Sequence, residues 1–282
     1  MRDHADWVSS LVSCLSSIPD IPLENAMSRT DDILRGLSRR DRRRGFASLV
    51  SRRSSVKSEV RTLERFLDLA LTAETEAVRL NAVAGFLWNV GKRKVSLDLY
   101  RRAMEWGDAQ AIYDYARAAH DLGQVDEARG AYLELVADDS DIASRAAGDL
   151  ALLVDDQLEK VRLLERAFPH RPELLTELAW ALDAIGDRQR LESLLINEMQ
   201  RGSVAAPILL GNFYEDRLQD LSRAEHAFRV GAKRGDAYSL YNLARLLYLT
   251  GRKREGIKAL QRAARRGDRM AADRLRELEA LR

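Results

Sequence analysis

One pattern is written twice between Val204 and Asp268. The segment VAAPILLGNFYEDRLQDLSRAEHAFRVGAKRGD is followed at once by AYSLYNLARLLYLTGRKREGIKALQRAARRGD. Each copy reads as an apolar helix with a small residue at its centre, a turn, a second helix and a Gly-Asp step. Small residues recur upstream in the matching place, giving the row Ala84, Ala116, Gly148, Ala179, Gly211 and Ala244, with separations of 32, 32, 31, 32 and 33. Larger residues keep step with them at Tyr100, Tyr132, Leu164, Leu195, Phe228 and Leu260. A fixed period of about thirty residues marks an array in which each unit packs on its neighbours.

The small row has a packing reason, since two helices approach closely only where a side chain is nearly absent. Gly91, Gly123, Gly186 and Gly251 each follow the central residue by seven positions. There the first helix of a pair (helix A) must stop and turn back into helix B, and glycine tolerates the left-handed conformation common at such ends. Asp155 and Leu218 take that place in the third and fifth units, so those two turns are expected to differ.

The flanks are helical too. Trp7, Val8, Leu11, Val12, Leu15 and Ile18 fall at helical spacing from Asp3 to Ile18, and Pro19 and Pro22 end that helix. Further helices are expected from Pro22 to about Leu37, over 42–53 and over 56–72, the last two forming a degenerate capping repeat. At the other end, 269–282 starts like another helix A but puts Arg276 at the small position, as suits a cap against water. The organisation read from the sequence is a helical cap at 1–72, repeats at 73–268 and a capping helix at 269–282. There is no convincing period-2 run, so the fold class is all-α.

Formal charge is segregated. Residues 1–107 balance at +5, residues 108–200 at −11 and residues 201–282 at +8. Such a field bears on partners and not on fold. The single cysteine, Cys14, excludes an intramolecular disulfide and a cysteine-based zinc site, and suits a reducing cytoplasm. Leu11-Val12-Ser13-Cys14 matches a lipoprotein cleavage box by letters, but Asp3, His4 and Asp6 leave no apolar stretch before it. No run reaches the roughly 20 apolar residues of a membrane span.

No catalytic constellation stands out. His4, His120, His170 and His226 lack metal-ligand spacing, and no phosphate-binding glycine loop is present. Asp138, Asp139 and Asp141, with Asp155-Asp156, fall at turns, where aspartate commonly caps the next helix. Arg234-Gly235-Asp236 and Arg266-Gly267-Asp268 look like adhesion triplets, yet here glycine closes one repeat and aspartate caps the next. No enzyme activity, cofactor or metal is expected.

The unit resembles a tetratricopeptide repeat, and its last two copies resemble the Sel1-like relative. Ala206-x-x-x-Leu210-Gly211-x-x-Tyr214 is close to the Sel1 helix-A pattern, and both Arg-Gly-Asp steps sit where that family closes a repeat. The resemblance runs from about Thr72 to the C-terminus. The chain departs from it in its shorter period and in Lys160, Leu191 and Gly256, where the family has alanine. The resemblance implies a right-handed α-solenoid of about six helix-turn-helix repeats with capping helices at both ends.

It further implies a non-catalytic scaffold or adaptor that holds a peptide or partner protein in a concave groove lined by the A helices. Carried over position by position, the groove residues are Asn81, Trp88 and Asn89; Tyr113, Arg117 and His120; Arg145 and Asp149; Trp180 and Asp183; Asn212 and Glu215; and Tyr238, Tyr241, Arg245 and Tyr248. Aromatic and arginine side chains are favoured interface anchors, although Trp88, Trp180 and Tyr248 could equally fill gaps between helices. The lysine–asparagine clamp of the family's acidic-tail binders is absent.

A second reading places Arg39, Arg40, Arg42, Arg43, Arg44, Arg52 and Arg53 against nucleic-acid phosphates and makes the protein regulatory. Without a DNA-binding signature it ranks below the protein-partner reading. The segment Trp7–Ile18 has three fates open to it: packing on its own array, pairing two copies, or filling the groove.

Overall fold

A computed structural model describes residues 4–50, 56–137 and 139–280. Seventeen α-helices and no strands occur among the described residues. The chain divides into two compact units, Met1–Leu153 and Val154–Arg282. The division falls inside the third repeat, between its two helices, next to the turn that has Asp155 where others have glycine.

The first unit contains α1 His4–Ser16, α2 Leu23–Leu34, α3 Arg39–Val50, α4 Val56–Thr72, α5 Glu76–Asn89, α6 Arg93–Met104, α7 Ala109–Asp121, α8 Val125–Leu135 and α9 Asp141–Leu150. Within it α5 pairs with α6 and α7 with α8, while α5 touches α7 and α7 touches α9. The apolar face of α1 is spent on its own chain. Val8, Leu11, Leu15 and Ile18 are buried, α1 packs on α2, α3 and α5, and the Trp7 ring lies 5.7 Å from that of Phe46. Gly45 makes this fit, because a Cβ there would come within 2.1 Å of the Trp7 ring. Of the three fates open to this segment, the structure takes packing on the array.

The second unit contains α10 Gln157–Ala167, a 3-10 turn at Pro172–Leu174, α11 Leu175–Ala184, α12 Arg188–Gln200, α13 Ala206–Asn212, a π-helical turn at Phe213–Arg217, α14 Leu221–Lys233, α15 Ala237–Leu249, α16 Lys253–Arg265 and α17 Arg269–Ala280. Here α11, α13 and α15 are the A helices, each in contact with the next, and α17 packs on α16.

Both periodic rows are core. Ala84, Ala116 and Ala244 are fully buried, as are Tyr132, Leu164, Leu195 and Phe228 to within 1%. The 12-residue spacing from the central residue to helix B carries its own chemistry. Ser96 donates its hydroxyl to the Ala84 carbonyl at 2.6 Å, and at the equivalent place a Cβ on Gly256 would press within 2.8 Å of the Ala244 carbonyl. The departure from alanine at Gly256 is thus a close helix crossing.

Turn chemistry follows the sequence closely. Gly91, Gly123, Gly186 and Gly251 all have φ between 73° and 88°. Thr75, Asp108, Asp156, Asp187, Asp220 and Asp236 accept backbone amides at the starts of their helices. In both Arg-Gly-Asp steps the glycine is left-handed and the aspartate caps the next helix.

Three expectations need correction. Helix α3 starts at Arg39, not at residue 42, because Ser38 and Asp41 cap it (Asp41 N to Ser38 Oγ 3.1 Å, Ser38 Oγ to Asp41 Oδ2 2.6 Å). It is described as far as Val50, and 51–53 of the expected span lie outside the described residues. Helix α2 ends at Leu34, short of Leu37, since Gly36 is left-handed at φ 81°. Helix α9 is capped by Ser140, not by the aspartates around it; Asp138 lies outside the described residues. The turn of the fifth unit differs as expected: with Leu218 in the glycine place, the chain widens into the π-turn and reverses one residue later, at Gln219 with φ 54°.

Candidate functional site

The residues assigned to a groove stand on the A helices, and side chains from neighbouring A helices bond to each other. In the first unit Asn81 Nδ2 donates to Asp114 Oδ2 at 2.9 Å, and the Tyr113 hydroxyl donates to Asp149 Oδ2 at 2.7 Å. Arg145 Nη1 reaches back to Gln110 Oε1 at 3.3 Å. The Arg145 guanidinium lies 4.2 Å over the Tyr113 ring, with Arg117 at 5.9 Å. Tyr113 itself is only 5% exposed. Burial, and then its bond to Asp149, push its phenol above the ordinary value of 10.0. It is part of the wall, and Arg117 and Arg145 are what it offers to solvent.

Trp88 is half-buried beneath Arg93 of α6, whose guanidinium lies 4.6 Å over the ring. Asn89 donates to the carbonyl of Gly85 on its own helix at 2.8 Å, and His120 is half-buried. This A face is therefore largely tied up in its own bonds.

The second unit is more open. Trp180 on α11 is 66% exposed, and beside it Arg217 clamps Asp183 through Nε at 2.9 Å and Nη2 at 2.6 Å. With Asn212, Phe213 and Asp216 these residues line a depression of about 250 Å³. Asn242 Nδ2 donates to Asn212 Oδ1 at 3.3 Å, and Arg245 Nη2 donates to Glu215 Oε2 at 2.6 Å. Beyond that pair no side-chain hydrogen bond joins α15 to α17 among the described residues. Between α15 and α17 lies a cleft of about 470 Å³ lined by Tyr241, Arg245, Tyr248, Leu249, Met270 and Arg274, among others. Leu249 is 69% exposed and Met270 54%. Tyr238 is exposed at the start of α15.

Leu249, Met270, Asp273, Arg274 and Glu277 complete this cleft and were not read from the sequence. The signal was available: Ala271 continues the A-helix register into α17, while Arg276 at the small position is exposed and ion-paired to Asp273 on its own helix. A helix with arginine there cannot close on α15.

Of the basic patch, Arg39, Arg42 and Arg43 line a cleft between α3 and α4. Arg40 and Arg44 are exposed outside it, and Arg52 and Arg53 lie outside the described residues. Among the described residues no group of three or more His, Cys, Asp and Glu could hold a metal, and no helix is long and apolar enough to cross a membrane.

No family model and no curated protein sequence matches the chain. Solved structures do. The C-terminal part of a TPR repeat-containing protein from Cytophaga hutchinsonii aligns at 12% identity with a TM-score of 0.59, covering 81% of this chain and 97% of that one. A chain of the APC/C hetero-tetramer Cut9–Hcn1 aligns at 18% identity and a TM-score of 0.47, over 90% of this chain and 52% of that one. This chain thus spans about half the length of its Cut9–Hcn1 match. The apo form of RapI aligns at 11% identity and a TM-score of 0.40, over 97% and 81% of the two chains. The likeness to the Cytophaga protein shows the fold, an all-α array of tetratricopeptide-type helix pairs.

Proposed function

We propose that this tetratricopeptide-type array is a non-catalytic scaffold that seats a peptide, or an extended segment of a partner protein, on the A-helix face of its second unit. One observation carries the reading: large aromatic and apolar side chains stand open or partly open to solvent on the A helices of this unit and on α17. Trp180 beside the Arg217–Asp183 pair and Leu249 and Met270 in the α15–α17 cleft are exposed, and the half-buried Tyr241 and Tyr248 line that cleft with them. Large aromatic side chains anchor interfaces because they bury much area for little lost rotamer freedom. The paired arginines beside them offer donors that fix direction and register more than strength. Among the groove residues, Arg117 and Arg145 of the first unit extend the same role, while Asn81, Asn89 and Tyr113 hold the wall.

The test is a peptide-display selection on the full chain, followed by binding measurements on Trp180→Ala and on Tyr241→Ala/Tyr248→Ala. Selected peptides should bind at micromolar strength and weaken by at least about tenfold in one or both variants, as loss of an aromatic anchor implies. Failure to select any peptide, or equal binding to both folded variants, sinks the proposal.

A further inference from the structure

We infer that the cleft between α3 and α4 is a binding site for a compact polyphosphate, meaning a ligand with two or more adjacent phosphoryl groups. The cleft holds about 570 Å³, within the size range of small-ligand sites. Arg39, Arg42 and Arg43 enter it from α3, and Arg61 and Arg65 from α4. Only two acidic side chains line it, Glu64 and Asp68, which leaves three positive charges in excess.

The contrast with the arginine pairs of the second unit gives this weight. Four arginines of the second unit find carboxylates across helices: Arg217 with Asp183, Arg223 with Glu192, Arg245 with Glu215 and Arg252 with Glu225. In the cleft Arg43 alone is matched, its Nε donating to Glu64 at 3.0 and 3.1 Å. Arg39, Arg42, Arg61 and Arg65 have no carboxylate partner among the described residues. The Nε of Arg42 is sealed from water and donates to nothing. Converging cations raise each other's cost, and an anion between them removes it.

The geometry selects the anion. Guanidinium groups offer planar forks that match phosphoryl oxygens two at a time. Phe46 and Leu67, 1% and 2% exposed, form an apolar floor that excludes water and strengthens the field above it. The cations face one another from two helices across a single concavity. Arg40 and Arg44, which would prolong them into a stripe along a nucleic-acid backbone, are not part of the lining. The arrangement therefore suits a short, dense anion over a long one.

Calorimetric titration of the full chain with sodium tripolyphosphate in low-salt buffer tests this. One saturable site is expected, weakened at least about tenfold in Arg42→Gln/Arg65→Gln and unchanged in Arg254→Gln/Arg262→Gln, two exposed arginines of α16. Should the first variant fail to fold, Arg39→Gln/Arg61→Gln must show the same loss. Absence of saturable binding, or equal affinity in cleft and α16 variants, overturns the site. A short single-stranded RNA that binds tighter than tripolyphosphate and is lost in the same variants would overturn it in favour of nucleic acid.

Discussion

Arg245 of α15 donates to Glu215 at 2.6 Å across two successive A helices, over a carboxylate that is nearly buried. Glu215 belongs to the π-turn, so the pair ties the widest turn of the array to the helix after it. Removing Arg245 strands a carboxylate with little access to water. Arg245→Ala is expected to cost about 1–3 kcal/mol in urea unfolding, and Glu215→Gln in the same chain to recover part of it. A double-mutant cycle with no coupling between the two positions would show that the pair holds nothing together.

Gly211 faces Phe228, and a Cβ added there would come within 2.3 Å of the ring. Phe228 is fully buried and cannot swing into solvent. Gly211→Leu should therefore cost about 1–3 kcal/mol or more by overpacking. Gly211→Ala should cost less and be partly relieved by Phe228→Leu. A thermal melt unmoved by Gly211→Leu would contradict the alignment of the two rows.

Acid should loosen the second unit. The backbone amide and then the guanidinium of Arg223 hold Asp220 below its ordinary value of 3.8. Arg252 does the same for Glu255, and Arg229 with Arg252 outweigh partial burial to lower Glu225, both from 4.5. Carboxylates whose folded pKa is depressed contribute stability above the unfolded pKa, and that contribution fades as pH falls through the folded value. The melting temperature should be flat from neutral pH to about 5 and drop below about 4.5. Glu225→Gln/Glu255→Gln should start lower and show a shallower drop; an unchanged acid limb would place the sensitivity elsewhere.

Much of this fold was legible because its information is local and periodic. The row from Ala84 to Ala244 located every A helix, and glycines at a fixed offset located four of the turns. What escaped was set by contacts at a distance. Nothing near Asn81 or Tyr113 announces that Asp114 and Asp149, more than thirty residues on, will take their donors. Tyr113 has the residue type of an interface anchor, and only its partners reveal it as wall. The cleft against α17 was half readable: Tyr241, Arg245 and Tyr248 came from the repeat register. Met270 and Arg274 required knowing that Arg276 keeps the last helix from closing. The π-turn was signalled only by the missing glycine at Leu218, which says that the turn differs without saying how.

The most direct measurement is side-chain oxidative footprinting of the chain with and without a selected peptide. Trp180, Tyr241, Tyr248 and Met270 are exposed or part-exposed and reactive, and all stand on or against A helices. Trp106, 63% exposed just after α6, is an internal control off that face. Peptide should protect residues of the first group and leave Trp106 as reactive as before. Protection of Trp106 with none at Trp180, Tyr241, Tyr248 or Met270 would contradict binding on the A-helix face.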